Sequence, residues 1–391
     1  MPALTQTFHI QVAADGSRRN LRCGKSAPTD VGGYLLSASR ARFEISKPSP
    51  IKIVGGGLAG LTLGIGLRQK GIPVTVWEAG HYPRHRVCGE FISGRGQDVL
   101  ARLGLLESFR QVGSVPAHTA AFFLGRTASV VRSLSAPALC LSRFAMDALL
   151  AEHFRQAGGD LHENARWRDK AFGEGVVRAN GRRLQLTEDG QRWFGLKVHA
   201  RNVPLAADLE MHRAQFGYVG FCRLKDGEVN VCGLFRRPAA AHEPQPPWTD
   251  ILRGQPGTPL WERLEGAVFD QGSFCSVAGI SLRPQRAAAR SECCIGDALT
   301  MIPPVTGNGM SMAFEAAEMA IGPLAAYSRG ESSWSQARQS IAEACDHAFA
   351  RRLAWARWFQ WMMFTPLLRG GFGSVAVHLD LLWRTMFIYT R

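Results

Sequence analysis

Ile51-Lys52-Ile53-Val54-Gly55-Gly56-Gly57-Leu58-Ala59-Gly60-Leu61-Thr62-Leu63 opens the stretch that decides the fold, and it runs on to Val74-Thr75-Val76-Trp77-Glu78-Ala79. Ile51 to Val54 is short, apolar and stopped by glycines, which predicts a buried strand. Gly55, Gly57 and Gly60 follow at G-x-G-x-x-G spacing, and Leu61, Leu63, Ile65 and Leu67 continue as a helix that Gly71 closes. Val74 to Trp77 is a second strand. Each glycine in this order does a different mechanical job. Gly55 permits a tight turn, Gly57 lets the backbone approach a pyrophosphate, and Gly60 lets helix and strand pack closely. Leu58 and Ala59 start the helix whose free N–H groups and positive dipole end meet phosphates. Glu78, at the end of the second strand, is placed to accept hydrogen bonds from an adenosine ribose. A dinucleotide is the expected ligand, with FAD and NAD(P) both open at this point.

The chain has 391 residues, enough for two lobes, with 46% hydrophobic and 20% charged residues, as expected of a globular enzyme. Its formal charge of +14 reads as an arginine-rich solvated surface, with attraction to anionic substrates, an acidic partner or a membrane surface as the sharper options. The basic residues are scattered and carry no nucleic-acid signature, so nucleic acid is not an expected partner. Nine cysteines with no C-x-x-C argue against a disulfide framework or zinc site. No signal-peptide core precedes the first strand, so a cytoplasmic setting is expected.

The domain expectation is discontinuous. Residues 1–49 form a poorly patterned extension; 50–115, 141–185 and 290–330 form the nucleotide domain; 116–140 and 186–289 form a substrate domain; 331–391 form a helical region. Residues 120 to 131 look like a hairpin turning at Gly125-Arg126, and Ser142 caps a helix that runs to Gly158-Gly159. From Trp193 to Phe235 successive strands predict an antiparallel sheet. A proline-rich linker covers Pro244 to Pro247. Cys293-Cys294-Ile295 is a returning strand that leads into Gly296-Asp297, and Ile302 to Met310 turns onto a helix from Ser311 to Ala326. Near the end, Trp355, Trp358, Trp361 and Met362 recur beside Arg351, Arg352 and Arg357. That pattern suits a helix packed across the nucleotide lobe or, second, one lying on a membrane surface. No apolar run reaches the length of a membrane span.

The nucleotide motif, the late Gly-Asp site and the sheet between them resemble FAD-dependent oxidoreductases of the p-hydroxybenzoate-hydroxylase fold. Within them the chain is most similar to the geranylgeranyl-reductase-like group. Pro83-Arg84-His85-Arg86-Val87-Cys88-Gly89 fits that group's P-x-x-x-x-C-G pattern; Leu141-Ser142-Arg143 with Asp147 looks like the segment whose arginine approaches FAD; Gly296-Asp297 with Pro303 to Gly309 looks like the second FAD motif. The resemblance covers roughly residues 50 to 370. It implies an α/β fold: a Rossmann-like FAD-binding domain with an inserted antiparallel-sheet substrate domain and C-terminal helices. It implies FAD contacts from Gly55, Gly57, Leu58, Ala59, Gly60, Glu78, Arg86, Arg143, Gly296, Asp297, Pro303, Gly307, Asn308, Gly309 and Met310. It places Cys88 beside the isoalloxazine as the catalytic candidate, and Tyr218 and Phe221 toward substrate. No metal is implied.

The chemistry of these residues can also be read without the family. Asp297 at a strand end suits ribityl hydroxyls, and the Gly307-Asn308-Gly309 turn presents N–H groups and a helix start where reduced flavin carries charge. Arg84, His85 and Arg86 upstream would lower the Cys88 pKa. His85 and Glu90 are titratable neighbours able to donate a proton, against the plainer expectation of a structural role. Three departures qualify the family reading. Ala179-Asn180-Gly181-Arg182 stands where flavin hydroxylases have Asp-Gly, which puts direct pyridine-nucleotide use in question. Tyr218-Val219-Gly220-Phe221-Cys222-Arg223 carries Gly220 and Arg223 where the reductases have an aromatic residue and proline. The W-x-W-x-I-P pattern of flavin halogenases is missing, which lowers halogenation.

The leading expectation is an FAD-dependent oxidoreductase that gives a hydride from reduced flavin to an activated double bond of a lipophilic small molecule, polyketide-like or isoprenoid-like. The alternative is a flavin monooxygenase acting on an aromatic or lipophilic substrate. An electron-transfer flavoprotein is the non-enzyme alternative. NAD(P)H docks transiently or a reduced carrier supplies electrons, because no second G-x-G-x-x-G opens a nicotinamide domain. The C-terminal helices are the expected place of any peripheral membrane contact.

Overall fold

The computed structural model describes residues 47–124, 127–169, 171–182, 184–240 and 246–365. Almost all of the 1–49 extension, the Gly125-Arg126 turn, Pro244 and residues beyond 365 lie outside them.

Strand β1 (Ile51–Val54) leads through the glycines into α1 (Leu58–Gln69) and back into β2 (Val74–Trp77). Every residue of α1 from Leu58 to Leu67 is buried, as an all-round apolar helix must be. The chain continues through β3 (Phe91–Ile92), α2 (Arg95–Arg102), α3 (Leu106–Gln111), β4 (Val115–Leu124), β5 (Thr127–Ala128) and β6 (Arg132–Cys140). Next is α4 (Arg143–Gln156), whose first turn is capped by the Ser142 hydroxyl accepting from the Ala145 N–H. Then come β7 (Asp160–His162), β8 (Val176–Arg178), β9 (Gln191–Arg201), β10 (Leu209–Ala214), β11 (Gly217–Arg223) and β12 (Val229–Pro238). Short helices α5 (Trp248–Arg253) and α6 (Pro259–Leu264) precede β13 (Val268–Ala278) and β14 (Cys293–Cys294). Helices α7 (Gly309–Ser328) and α8 (Trp334–Phe364) complete the described chain, α8 opening on a Ser333–Gln336 capping box.

Among the described residues these strands form two sheets. The first is parallel, in the order β14-β8-β1-β2-β7, so the late strand at Cys293 does return beside the first lobe. The second has nine strands in the order β13-β9-β12-β11-β10-β4-β6-β3, with β5 on β4. It is mixed, because β4 and β10 pair in parallel, where the sequence led us to expect antiparallel pairing throughout. The fold is α/β, with the Rossmann-like arrangement and inserted second sheet expected.

Glycines set the spacing of the nucleotide lobe. A Cβ at Gly64 would lie 2.7 Å from the Phe154 ring, and one at Gly66 would lie 2.2 Å from Ile321. These positions let α4 and α7 close onto α1. A buried Arg352–Glu315 pair at 2.6 Å joins α8 to α7. On the second sheet, Val198, Val219, Phe221 and Val231 pack against Leu252, Leu260 and Leu264 of α5 and α6. The opposite face looks toward the first lobe, and the end of α8 covers part of it through Phe359 and Phe364 against Trp193, Tyr218 and Leu234.

Candidate active site

A cavity of about 1020 Å³ runs from the glycine loop after β1 to the inward face of the second sheet. Its nucleotide end is built mostly from backbone. Gly55 has φ +112°, and a Cβ there would lie 2.4 Å from the Ala179 carbonyl oxygen; a Cβ on Gly60 would lie 1.9 Å from the Gly55 oxygen. At Gly57 an added Cβ meets nothing within 4 Å. Two glycines are therefore fixed by crowding and one by the space it leaves, the division a pyrophosphate cradle requires.

Glu78 is buried and its carboxylate accepts from the Gly56 N–H at 2.9 Å and the Gly80 N–H at 2.8 Å, with Arg84 at 2.6 Å. Around it, Trp77 Nε1, Trp167 Nε1, Arg84 Nε and Arg86 Nη2 are buried donors without a hydrogen-bond acceptor among the described residues. All four side chains border the cavity. Unmatched buried donors beside an open cradle are what an anionic, acceptor-rich cofactor would satisfy. FAD fits this donor set.

Farther along, Asp297 borders the cavity, and burial raises its carboxyl pKa, partly offset by the Arg182 and Arg143 guanidinium groups. Arg182 itself is held down by burial. Gly307 has φ +67°, and a Cβ there would lie 2.2 Å from the Phe91 ring, so only glycine closes this turn. Gly309 and Met310 then start α7 at the wall.

Most expected cofactor residues share the one cavity: Gly55, Gly57, Leu58, Ala59, Glu78, Arg86, Arg143, Asp297, Gly307, Gly309 and Met310 all border it. Gly60, Gly296, Pro303 and Asn308 stand behind the wall. Gly60 sets packing, Gly296 precedes Asp297, Pro304 takes the wall position next to Pro303, and buried Asn308 accepts from Ser93 Oγ at 3.1 Å.

Cys88 borders the cavity where the two halves meet. Its thiol is not activated as its basic neighbours suggested: burial pushes its pKa up, more than Arg143 lowers it. Burial is the larger effect, and the guanidinium groups are bound to carboxylates. Arg84 pairs with Glu78, Arg86 reaches Asp147 at 2.9 Å, and Arg143 reaches the same Asp147 at 2.7 Å. Asn230 Nδ2 donates to the Cys88 carbonyl at 2.9 Å and fixes that loop to β12.

The substrate end is read from strand register. Cys275, Lys197, Cys232, Gly220, Met211 and Phe122 lie in one row across β13, β9, β12, β11, β10 and β4. A Cβ on Gly220 would find only two carbonyl oxygens, at 3.7 and 3.8 Å. This glycine leaves a recess in the floor at the position where the reductases carry an aromatic residue. Tyr218 shares that face, with its hydroxyl donating to Gln360 Oε1 at 3.4 Å. Phe221, three residues on, also borders the cavity, but by strand alternation its ring goes to the other face, under α5 and α6 and edge-on to His212.

The residues that sequence reading missed come from β9. Lys197 and His199 are buried and meet His85 and Glu90: Lys197 Nζ lies 3.0 Å from His85 Nδ1 and 3.5 Å from Glu90, and His199 Nε2 lies 2.7 Å from Glu90. His85, Glu90 and His199 offer donor atoms within 4.8 Å of one another. The Lys197 ammonium in contact with two of them makes this an ion-pair network and not a cation site.

Residues 49–200 match a family model described as FAD binding domain. Among curated proteins, conditioned medium factor receptor 1 of Dictyostelium discoideum is 24% identical over 134 residues, 31% of this chain and 26% of that protein, so the match spans about a quarter of its length. Among solved structures, the flavin-dependent brominase Bmp2 superposes with TM-score 0.69 at 18% identity, covering 87% of this chain and 92% of that chain. The halogenase PltM in complex with phloroglucinol and FAD gives 0.64 at 14%, covering 87% and 79%. The p-nitrophenol 4-monooxygenase PnpA from Pseudomonas putida DLL-E4 gives 0.63 at 18%, covering 87% and 97%. At these identities the likeness establishes the fold, so the missing W-x-W-x-I-P pattern and the halogenase-like architecture are compatible. Residues 49–200 thus resemble an FAD binding domain, within a chain that has the fold shared by these flavin-dependent halogenases and the monooxygenase.

Proposed function

We propose that the protein is an FAD-dependent oxidoreductase that oxidises a lipophilic ring compound held on the floor of the second sheet, in the manner of a monooxygenase. The observation that carries this reading is the unbroken cavity from the Gly57 cradle, past Asp297 and Gly307, to the Gly220 recess. Bound there, FAD would supply the two-electron chemistry of its reduced ring. The chain's own residues would then act in three ways. Gly55, Gly57 and the start of α1 hold the phosphates, with Glu78 at the ribose. Asp297 and the Gly307–Gly309 turn orient the ring. Met211, Phe122, Leu234 and Tyr218 exclude water from the substrate side.

The electron source in this reading is NAD(P)H docking transiently or a reduced protein carrier. Similarity of fold to a nitrophenol monooxygenase and to a halogenase complexed with phloroglucinol supports phenolic rings as first probes. The second reading, reduction of an activated double bond as in the geranylgeranyl-reductase-like group, is favoured by the P-x-x-x-x-C-G match and by a protonated Cys88 thiol on the wall. FAD-loaded protein supplied with NADPH and phloroglucinol or 4-nitrophenol distinguishes them by mass. Incorporation of one oxygen into the ring, with nitrite released where it enters at the nitro-bearing carbon, supports oxidation; a gain of two hydrogens by an added activated alkene supports reduction; and protein that takes up no FAD overturns both.

Among the described residues no helix is long and apolar enough to cross a membrane. The end of α8 packs one side into the fold and exposes Trp358 and Trp361 at 41% and 62%. We read this edge as the place where the protein touches a membrane surface peripherally; flotation with anionic vesicles, lost in a Trp358→Ala/Trp361→Ala variant, tests it.

A further inference from the structure

The floor of the cavity is otherwise small and apolar, yet one position in its central row is a lysine with no exposed surface. Taking Lys197 and Glu90 out of water costs several kcal/mol per ion before their attraction repays it. Apolar residues of similar volume would serve packing as well. The pair is also not isolated. Contacts continue from the His85 ring at the cavity wall to Lys197 Nζ (3.0 Å), Glu90 Oε1 (3.5 Å), across that carboxylate to His199 Nε2 (2.7 Å), and from His199 Nδ1 to Glu228 Oε2 (3.1 Å). The Glu228 side chain is 28% exposed, so the line ends in solvent. Asp270 faces His199 across β13 and β9.

We propose that His85 exchanges protons with the substrate at the cavity wall, and that Lys197, Glu90, His199 and Glu228 are the path that reloads it from solvent. This rests on the cavity being the catalytic site proposed above, since either reaction needs a proton delivered or removed there. An ammonium only donates hydrogen bonds, so His85 Nδ1 accepts from Lys197 and the ring's own proton sits on Nε2. Burial, then the Lys197 ammonium and His199, hold His85 down at about 4, against the opposing carboxylates of Glu90 and Asp270. His85 is thus neutral and in one tautomer at neutral pH. Burial works against charge on His199, but its hydrogen bonds to Glu228 and Glu90 outweigh that and raise its pKa. Its contacts with two carboxylates make it the group of the line that most favours an added proton.

The transfer balances without a co-reactant. The His85 Nε2 proton goes to the substrate as Nδ1 takes one from Lys197 Nζ. Glu90, ionised at the start, takes the His199 Nε2 proton on Oε2, and rotation of its carboxyl group passes that proton to the neutral Lys197 amine. His199 keeps its Nδ1 proton, facing Glu228, and regains the second from solvent through Glu228 when its ring turns; a turn of the His85 ring likewise returns its new proton to the substrate side. His85 is the group that touches substrate; the other four are positioning and conducting residues.

The test uses the full chain loaded with FAD and isotope-labelled in histidine and lysine, observed by NMR, with His85→Asn and His199→Asn for assignment. The proposal expects His85 to remain neutral and Nε2-protonated between about pH 5.5 and 8, outside the ordinary histidine range. It expects Glu228→Gln to slow exchange of the His85 Nε2 and Lys197 ammonium protons with water roughly tenfold or more. Glu228 reaches the surface, so this variant reports even if Lys197→Met fails to fold. His85 titrating near its ordinary value, or exchange unchanged in Glu228→Gln, overturns the relay. Because FAD binding is read separately from the visible spectrum, a broken relay in yellow protein leaves the proposed function standing. Colourless protein removes that function instead.

Discussion

The two ends of the cavity are built by opposite means. At the nucleotide end, glycines and main-chain N–H groups do the work, and what matters is absent side chain: open space at Gly57 and contact distance at Gly55 and Gly60. At the sheet end, side chains from five or more strands converge, and what matters is which face each one takes. A backbone-built site costs the fold little and is specified by local sequence. A side-chain-built site stores buried charge and is specified by register.

That contrast predicts where substitutions are felt as stability and where as affinity. The largest stability effect belongs to Lys197→Met, which takes the ammonium away from the buried Glu90 carboxylate and leaves it His199 alone as an ion-pair partner; it should cost about 3 kcal/mol in urea unfolding. Adding Glu90→Gln should restore most of that loss, because the buried charge is then gone. Gly57→Val should instead leave the cofactor-free protein as stable as wild type. It should weaken FAD about a hundredfold, near 2.7 kcal/mol, by filling the cradle, read by fluorescence titration. If Gly57→Val unfolds the protein, or Lys197→Met does not destabilise it, the contrast fails.

Gly220→Phe fills the recess in the floor and should weaken phloroglucinol about tenfold while leaving FAD affinity unchanged. Equal losses for both ligands would mean the two ends are not separable. A smaller effect is expected with acid. His85 is held neutral to about 4 in the folded protein, whereas the unfolded chain protonates it near 6.5. The unfolded state therefore binds more protons in that window, and stability at this site falls as pH drops through it. His199 has the opposite sign: its raised pKa contributes stability that is complete below about 6.5 and lost as pH rises through the folded value. His85→Asn should therefore remove a loss of stability with falling pH between about 4 and 6.5, and His199→Asn a loss with rising pH above about 6.5.

Cys88 carries the smallest expected effect. With its thiol held up by burial, alkylation by iodoacetamide should be slower than for a free thiol at neutral pH. Cys88→Ala should change FAD affinity less than about threefold. Rapid alkylation would restore the activated thiol that the neighbouring Arg84, His85 and Arg86 suggested from sequence.

The same contrast explains what was legible. Strand, glycines, helix, strand and Glu78 stand in order within Ile51 to Ala79, and their geometry follows from local rules, so the fold and the cofactor end were readable. The Asp297 and Gly307 loop, more than two hundred residues on, was readable because its own glycines mark the turn. The ion-pair line was not. Lys197 and His199 lie more than a hundred residues from His85 and Glu90, and their meeting is fixed by the pairing of β9 with β12 and the docking of the Cys88 loop on Asn230. Tyr218 and Phe221 show a different limit: both border the cavity, but their odd spacing sends the two rings to opposite faces of β11, a rule available in the sequence. Cys88 shows a third. Burial raises this thiol more than the paired Arg143 lowers it, and Arg84 and Arg86 are held by Glu78 and Asp147.

The most direct test of the account is titration of the purified full chain with FAD, followed in the visible spectrum and repeated with Gly57→Val. The account predicts saturation at one equivalent with a perturbed flavin spectrum in the wild type, and little binding by an equally folded Gly57→Val. Wild-type protein that stays colourless with excess FAD, or Gly57→Val that binds as tightly as wild type, would contradict it.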